Sequence, residues 1–228
     1  MGYFNIAIDG PAGAGKSTIA KLVASRLGFV YVDTGAMYRT MTLYFLRQGI
    51  KTEDEASIEE ACKDVDITIC YEDGIQQVIL NGENVSDLIR TEEVGNMAST
   101  ISVYMPVRKK LVELQKRLAK RADVVMDGRD IGTCVLPEAP AKIYLTASVE
   151  VRAMRRYQEL KGKGTDCSLE EIEKDIEDRD YRDMHREHSP LKQAEDAVLV
   201  DSSHMTIEEV VNRIIHLSCE GGLIWSER

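Results

Sequence analysis

Short apolar runs divide the chain, and none of them shows the alternation typical of a strand that faces water on one side. In chain order they are FNIAID, FVYVD, DVVMD, KIYLT and AVLVD. A turn or a helical pattern follows each run, as expected of parallel strands buried on both faces. The pattern predicts a doubly wound α/β fold, with a five-stranded parallel sheet and helices on both faces.

The helical patterns between these runs have recognisable ends. After the first run, a helix is predicted whose apolar face is formed by Ile19, Leu22, Val23 and Leu27. Gly28 follows, which favours the end of the helix at that residue. Thr206 with Glu209, and Ser168 with Glu171, have the spacing of capping boxes and predict two further helix starts.

One segment breaks the alternation of strands and helices. In DITICYEDGIQQVILNGENV, residues 66–85, two strand-like segments flank Asp73 and Gly74, and a second turn signal follows at Asn81 and Gly82. Such turn pairs connect antiparallel strands. We therefore expect a small antiparallel meander, inserted into the α/β core.

The composition narrows the function classes. The chain has 228 residues, 43% of them hydrophobic, which suffices for one large α/β domain or a domain with insertions. Its net charge of −10 argues against a general binder of nucleic acid or of membrane surfaces, and no apolar run has the length of a membrane span. No signal peptide is recognisable at the N-terminus.

The cysteines and histidines suggest neither a disulfide framework nor a metal site. The five cysteines have no C-x-x-C spacing and are an odd number; they are Cys62, Cys70, Cys134, Cys167 and Cys219. We interpret them as reduced thiols of a cytoplasmic protein. The four histidines show no grouping typical of metal ligands.

A basic segment over residues 108–121 raises RNA binding as an alternative. Its apolar positions recur at helical spacing, at Val107, Leu111, Leu114 and Leu118. This stripe is typical of an amphipathic core helix with a solvated basic face. Nucleic acid is therefore not an expected partner.

The clearest chemical signal is GPAGAGKST, residues 10–18, which fits the phosphate-binding pattern G-x-x-x-x-G-K-[ST] between a strand and a helix. Gly10, Gly13 and Gly15 permit left-handed backbone angles that bring N–H groups against phosphate oxygens. Lys16 can reach the β and γ phosphates, and Ser17 can ligate Mg²⁺. A glycine-rich turn without function is the alternative, which the flanking strand and helix disfavour.

The rest of the chain distinguishes among proteins that carry this loop. The N-K-x-D guanine motif of GTPases and the L-S-G-G-Q motif of transporter ATPases are both absent. Arginines are more numerous than one nucleotide requires, at Arg39, Arg108, Arg129, Arg155, Arg156, Arg179, Arg182 and Arg186. Helical spacing groups Arg179 and Arg186 with Asp183, and Arg152 with Arg155 and Arg156. A kinase whose second substrate is a phosphate ester needs such clusters.

Six segments together resemble the bacterial cytidylate kinases, which belong to the nucleoside monophosphate kinases. They are IAIDGPAGAGKST, YVDTGAMYR, LIRTEEVGNMAS, PVRKKL, MDGRDIGT and IEDRDYRDMHR. The similarity extends from about Ile6 to about Ile215. Adenylate kinases share the loop, but they would carry a proline-containing stretch in place of DGRD.

The resemblance implies one P-loop kinase domain with three parts. The core would comprise residues 1–35, 106–150 and 190–228, and a hinged subdomain for the monophosphate would comprise residues 36–105, including the meander. A helical lid over the triphosphate would lie within residues 151–189, where KGKGT provides glycine hinges. A monomer is expected.

The resemblance also implies binding residues. ATP would be bound by Gly10, Pro11, Ala12, Gly13, Ala14, Gly15, Lys16, Ser17 and Thr18. CMP would be surrounded by Thr34, Arg39, Ser99, Arg108, Arg129, Asp130, Arg179, Asp183 and Arg186. The catalytic residues would be Lys16, Arg129, Arg155 and Arg156, with Arg155 and Arg156 closing over the ATP phosphates. Ser17 and Asp127 would hold Mg²⁺, Asp127 through water; a helix-capping role is the alternative for Asp127.

The expected reaction is transfer of the γ-phosphoryl group of Mg·ATP to CMP or dCMP, giving ADP and CDP or dCDP. Two alternatives remain open. One is a kinase for another monophosphate such as UMP. The other is a nucleotide-binding switch, which would hydrolyse its nucleotide slowly without an acceptor and would not need the second set of arginines.

Overall fold

The computed structural model describes residues 2–222, with Glu92 described by its backbone alone. Two compact units make up the chain. The first unit comprises residues 1–31 and 123–228, and the second unit comprises residues 32–122. Residues 223–228 of the expected core lie outside the described residues.

The predicted five-stranded parallel sheet is confirmed. Its strands are β1 (Asn5–Asp9), β2 (Val30–Asp33), β6 (Val124–Gly128), β7 (Ala141–Thr146) and β8 (Val198–Asp201), in the order β2-β6-β1-β7-β8. The central strand β1 pairs in parallel with both β6 and β7. Because β1 and β6 are covered on both faces, their apolar side chains are fully buried, as the unbroken apolar runs predict.

The prediction of burial on both faces is wrong for β8. Only Val200 of this strand is buried, while Val198 and Leu199 are 39% and 53% exposed. The strand lies at one edge of the sheet and pairs only with β7, and Val198 and Leu199 are left partly uncovered there, whereas Tyr31 and Val32 of the opposite edge strand β2 are buried.

Eight helices are described in residues 2–222, besides one 3₁₀ turn and one π-turn. They are α1 (Lys16–Leu27), α2 (Thr34–Gln48), α3 (Glu55–Asp64), α4 (Glu92–Ile101), α5 (Met105–Ala119), α6 (Val149–Gly162), α7 (Leu169–His185) and α8 (Ile207–Glu220).

Several helix ends agree with the sequence. Helix α1 ends at Gly28, which has φ 71° in the left-handed region. Thr206 forms the predicted capping box with Glu209 at the start of α8. Ser168 caps α7 by accepting a hydrogen bond from the backbone N–H of Glu171.

The core of the first unit lies where α1 and α8 pack against the sheet. Its members from these helices are Ile19, Ala20, Val23, Ala24, Val210, Val211, Ile214 and Ile215. Leu22, predicted on the buried face of α1, is 38% exposed. The face that packs on the sheet repeats at positions 16, 19, 20, 23 and 24, so Ala20 and Ala24 fill it and Leu22 lies beside it.

In the second unit, the predicted meander is confirmed as strands β3 (Ile67–Glu72), β4 (Ile75–Leu80) and β5 (Glu83–Asn84). Asp73 and Gly74 have φ of 52° and 76°, and Asn81 and Gly82 have φ of 47° and 86°. Positive φ at both central residues is what a tight hairpin turn requires. In α5, Val107, Leu111 and Leu114 of the predicted stripe are buried, while Leu118 is half-buried.

Within residues 2–222, every helix is too short or too polar to traverse a lipid bilayer.

Candidate active site

The phosphate-binding loop joins the end of β1 to the start of α1. Gly13 and Gly15 have φ of 73° and 84°, which is the left-handed geometry expected from the sequence. At Gly10, a Cβ atom would lie 1.9 Å from the carbonyl oxygen of Leu145, so no side chain fits there. The loop leads directly into the N-terminus of α1, where free N–H groups and the helix dipole favour an anion.

Lys16 lies at the first position of α1, with 5% of its surface exposed. Its Nζ donates a hydrogen bond of 2.6 Å to the carbonyl oxygen of Pro11. Burial lowers the pKa of Lys16 well below its ordinary value, and the positive charge of Arg129 lowers it further, against the opposing effect of Asp127. A phosphate anion in the loop would therefore supply the negative charge that this buried cation lacks.

Asp127, in β6, is hydrogen-bonded to the first turn of α1. Its Oδ2 accepts a hydrogen bond of 2.9 Å from the hydroxyl of Ser17, and its Oδ1 accepts one of 2.9 Å from the hydroxyl of Tyr31. Both oxygens of Asp127 therefore accept from side-chain hydroxyls of the first unit, which favours a role at the loop over the alternative of a helix cap.

The donor set of Ser17 and Asp127 fits a magnesium ion. Both supply hard oxygen ligands, and Mg²⁺ is commonly bound by one or two protein oxygens together with substrate phosphates and water. Within residues 2–222, no group of three or more histidine, cysteine or acidic side chains is placed to hold a metal ion by itself. A magnesium ion at Ser17 and Asp127 would therefore need ligands from substrate phosphates and water.

A second charged cluster in the first unit contains three of the eight arginines that the sequence singles out, Arg129, Arg179 and Arg186. Arg129 Nε donates to Asp183 Oδ2 at 2.9 Å, and Arg186 Nη2 lies 3.5 Å from Asp130 Oδ1. Burial by itself would raise the pKa of Asp183, but Arg129, Arg179 and Arg186 outweigh burial and hold that pKa below its usual range. Asp183 is therefore a carboxylate that keeps several guanidinium groups together.

Asp9 belongs to the same region, and sequence reasoning missed it. Its two carboxylate oxygens accept hydrogen bonds of 2.8 Å and 2.7 Å from the backbone N–H groups of Ile131 and Gly132. These bonds connect the end of β1 to the segment that carries Arg129 and Asp130. Burial raises the pKa of Asp9 from 3.8 to about 6, although the two backbone bonds oppose this shift. An acidic residue immediately before Gly10, at a strand end, was the available signal.

The raised pKa of Asp9 predicts a pH dependence of stability. The folded protein binds this proton more tightly than the unfolded chain, so the contribution of Asp9 to stability increases as pH falls through 6. Between pH 7 and pH 5, wild type should gain about 1 kcal/mol in free energy of unfolding relative to Asp9→Asn. Urea denaturation of both proteins at both pH values measures the gain, with the exposed carboxyl variant Asp175→Asn as control. Relative to Asp175→Asn, wild type should show no such gain. An equal gain relative to both variants would contradict the assignment to Asp9.

The arginines of α6 point to three different places. Arg152 is 4% exposed and contacts the phosphate-binding loop, donating to the carbonyl oxygen of Ala12 at 2.8 Å. Arg155 donates to the carbonyl oxygen and hydroxyl of Ser202, and Arg156 pairs with Glu159 on the exposed face. Of these three arginines, Arg152 is the one that contacts the loop here. The sequence pattern placed it on one helix face with Arg155 and Arg156 but did not assign it a binding role.

The remaining candidate residues lie in the second unit. Thr34 is buried at the first position of α2, and Arg108 is 3% exposed and donates to the carbonyl oxygen of Ser102 at 3.3 Å. Arg39 pairs with Asp33 at 3.1 Å, while its Nε has no hydrogen-bond partner among the described residues. The buried hydroxyl of Ser99 likewise has none within residues 2–222. Buried polar atoms of this kind are commonly satisfied by a ligand or an ordered water.

Comparison with known proteins identifies the family. A family model described as cytidylate kinase matches residues 6–219. A cytidylate kinase of Caldicellulosiruptor bescii is 51% identical over 217 residues, which cover 95% of this chain and 96% of that protein. One from Geobacter sp. (strain M21) is 49% identical over 206 residues, covering 90% of this chain and 88% of that protein.

A solved structure agrees at the level of the fold. The crystal structure of a gluconokinase from Sinorhizobium meliloti 1021 matches 95% of this chain and 92% of its own, with a TM-score of 0.50 at 15% sequence identity. At this identity the similarity concerns the α/β kinase fold and nothing more. The sequence relatives, together with a phosphate-binding loop flanked by paired arginines and carboxylates, establish that the chain belongs to the cytidylate kinase family.

Proposed function

We propose that this protein transfers the γ-phosphoryl group of ATP to CMP or dCMP, giving ADP and CDP or dCDP. The observation that carries the proposal is that one compact unit contains both a phosphate-binding loop and a second cluster of arginines paired with buried carboxylates. One anion site suffices for a nucleotide switch, whereas a phosphoryl transfer between two phosphate esters requires two. The relatives at about half identity are named cytidylate kinases, which supports CMP as the acceptor.

Electrostatic stabilisation is the main chemical task of the residues around the loop. Phosphoryl transfer spreads charge over the equatorial oxygens of the transferred group, and little proton chemistry is demanded of the protein. Lys16 and the N-terminus of α1 would stabilise the charge of the donor phosphates. Arg129, held by Asp183, would neutralise charge between donor and acceptor. Lys16 is buried and Arg129 is partly buried, and hydrogen bonds already orient both cations, so little reorganisation accompanies the reaction.

A magnesium ion is part of the proposal. Ser17 and Asp127 would hold it, Asp127 through water. When bound, the ion neutralises charge on the β and γ phosphates of ATP. Tyr31 contributes by fixing the second oxygen of Asp127, so that the carboxylate keeps one orientation toward Ser17.

Nine residues are proposed to bind the acceptor CMP, five in the first unit and four in the second. In the first unit they are Arg129, Asp130, Arg179, Asp183 and Arg186. In the second unit they are Thr34, Arg39, Ser99 and Arg108. Among the described residues, the Arg39 Nε and the Ser99 hydroxyl have no hydrogen-bond partner, which supports this assignment, because a nucleotide would supply the missing acceptor or donor.

The segment of residues 151–189 is proposed to act as a lid. Arg155 and Arg156 contact Ser202 and Glu159 here, so they must exchange these partners if they are to reach ATP phosphates. Gly164, between α6 and α7, has φ 74° and can serve as a hinge. Closure would exclude water that otherwise hydrolyses ATP.

Hydrogen exchange should detect the lid. Amides around Arg155 and Arg156 are expected to become at least several-fold better protected when ATP and CMP analogues bind together, because closure reduces local opening. Peptides from α8, around Val211, provide the internal control and should not change. Equal protection of the lid peptides in the free protein and in the ternary complex would exclude this motion.

A coupled assay of ADP release tests the proposed reaction. With CMP or dCMP as acceptor, turnover should exceed the rate without acceptor by orders of magnitude, while UMP should be a poor substrate. Turnover greatest with UMP would favour a kinase for that monophosphate instead. Equal, slow hydrolysis with and without every acceptor would favour a nucleotide switch.

Two further expectations accompany the reaction. The five cysteines are free thiols in the structure, which supports a cytoplasmic, reducing location. A monomer is proposed for the active form, which sedimentation at assay concentration would test.

A further inference from the structure

A buried ion pair joins α6 and α7 beside the phosphate-binding loop. Arg152, in the first turn of α6, and Asp180, in α7, are 4% and 7% exposed. Arg152 Nη1 lies 2.6 Å from Asp180 Oδ2. Both lie within residues 151–189, the proposed lid, but the proposed reaction assigns no contact with a substrate to either side chain.

Both partners bind the backbone of one loop residue, Ala12. The N–H of Ala12 donates to Asp180 Oδ1 at 3.1 Å, and the carbonyl oxygen of Ala12 accepts from Arg152 Nη1 at 2.8 Å. Arg152 Nε donates to the carbonyl oxygen of Ala147 at 2.9 Å, which fixes the guanidinium on the connection between β7 and α6. We call Arg152, Asp180 and the Ala12 backbone the loop clasp.

The loop clasp limits the conformations of the loop. The N–H of Ala12 is engaged by Asp180, so this amide is not one of those that the loop directs at a phosphate. The next residue, Gly13, lies so close to Arg152 that an added Cβ would come within 3.3 Å of the Cβ of Arg152. The glycine that needs φ 73° therefore packs directly on the clasp.

A contribution to stability does not explain the arrangement. Removing two charges from water costs more than many buried ion pairs return, and apolar replacements are often as stable. What a charged pair provides here is geometry, because the Arg152 guanidinium and the Asp180 carboxylate together fix the acceptor and the donor of one residue, Ala12.

We propose that Arg152 and Asp180 are positioning residues that hold the phosphate-binding loop in the shape that accepts the ATP phosphates. They act through the backbone of Ala12. The inference deepens the proposed function, on which it rests for the identity of the donor nucleotide.

Asp180→Asn tests the clasp by removing the charge while keeping the volume. We expect ATP to bind about 10- to 100-fold more weakly, as for the loss of a charge-assisted hydrogen bond that orders a site. CMP affinity should fall much less than ATP affinity, because Asp180 binds the loop directly and acts on Arg129 only through its charge. Calorimetric titration with ATP alone and with CMP alone measures the two affinities. Hydrogen exchange of the peptide that contains Ala12 should become faster in the variant.

Arg152→Lys provides the second variant, since an ammonium group cannot reproduce the planar fork toward Ala12 and Asp180. It should show the same loss in ATP affinity, and it decides the question if Asp180→Asn does not fold. The matched controls are Asp175→Asn on the exposed face of α7 and Arg213→Lys on the exposed face of α8. Both should bind ATP like wild type.

Two results would overturn the proposal. One is wild-type ATP affinity in a folded Asp180→Asn or Arg152→Lys protein. The other is an equal loss of ATP and CMP affinity, which would indicate a general structural role. ATP binding is measured without an acceptor. The result therefore tests the clasp independently of whether CMP is phosphorylated. A wild-type protein that binds ATP but does not phosphorylate CMP would refute the reaction and leave the clasp standing.

Discussion

Lys16→Ala is expected to lower kcat with ATP and CMP by a factor on the order of 100 or more, which is the usual cost of removing one preorganised electrostatic donor. The ammonium group is buried in the loop and is positioned by the carbonyl oxygen of Pro11. The fold should survive, because the lowered pKa of Lys16 shows that burial of its charge is unfavourable in the free protein.

Steady-state kinetics and a thermal melt of the same preparation measure both parts of this prediction. Lys174→Ala removes an exposed lysine from α7 and serves as the matched control, with kcat expected at the wild-type value. Near-normal turnover in a folded Lys16→Ala protein would contradict the assignment of Lys16 to the transferred phosphate.

The second large effect concerns base choice. Cytosine presents an amino donor at N4 and acceptors at N3 and O2, whereas uracil presents an acceptor at O4 and a donor at N3. The Asp130 carboxylate can accept from the N4 amine, and Arg186 can donate to N3 or O2. Uracil in the same pose would place O4 against the carboxylate and N3–H against the guanidinium. A site of this kind can reject the mismatched base by roughly 10⁴.

Asp130→Asn should shrink the ratio of kcat/KM for CMP to kcat/KM for UMP, because an amide can turn its NH₂ group toward O4. The structure also offers a competing role, since Asp130 lies 3.5 Å from Arg186 and both are buried. If Asp130 only orients Arg186, the variant will lose activity with both substrates and the ratio will stay unchanged. Asp178→Asn, an exposed carboxyl variant on α7, controls for the chemical change.

Local signals in the sequence predicted much of the first unit and the meander. The glycines of residues 10–15 permit the positive φ that the phosphate-binding loop needs, so the spacing of these glycines before Lys16 and Ser17 predicts the loop locally. The turn at Asp73 and Gly74 is equally local, and it determines which strands of the meander pair. Unbroken apolar runs indicated parallel strands, since a strand covered on both faces has no polar side.

Sequence patterns do not tell which strand lies at an edge. The run AVLVD is as apolar as the runs of β1 and β6, yet Val198 and Leu199 of the edge strand β8 are largely exposed, because the packing of neighbouring elements leaves them uncovered. Likewise, helical spacing placed Arg152, Arg155 and Arg156 on one face of α6. Their separate partners depend on what packs against each turn of that helix.

The sequence by itself determined the phosphate-binding loop, the order of strands and helices along the chain, and the stock of arginines, because each depends on neighbours a few residues away. Tertiary structure decided which charges meet. Asp9 binds Gly132 across 123 positions of the chain, and Asp180 binds Ala12 across 168. Such partners are selected by the packing of strands and helices that bring distant backbone groups within 3 Å or so of a buried carboxylate, where an unmatched charge would be costly.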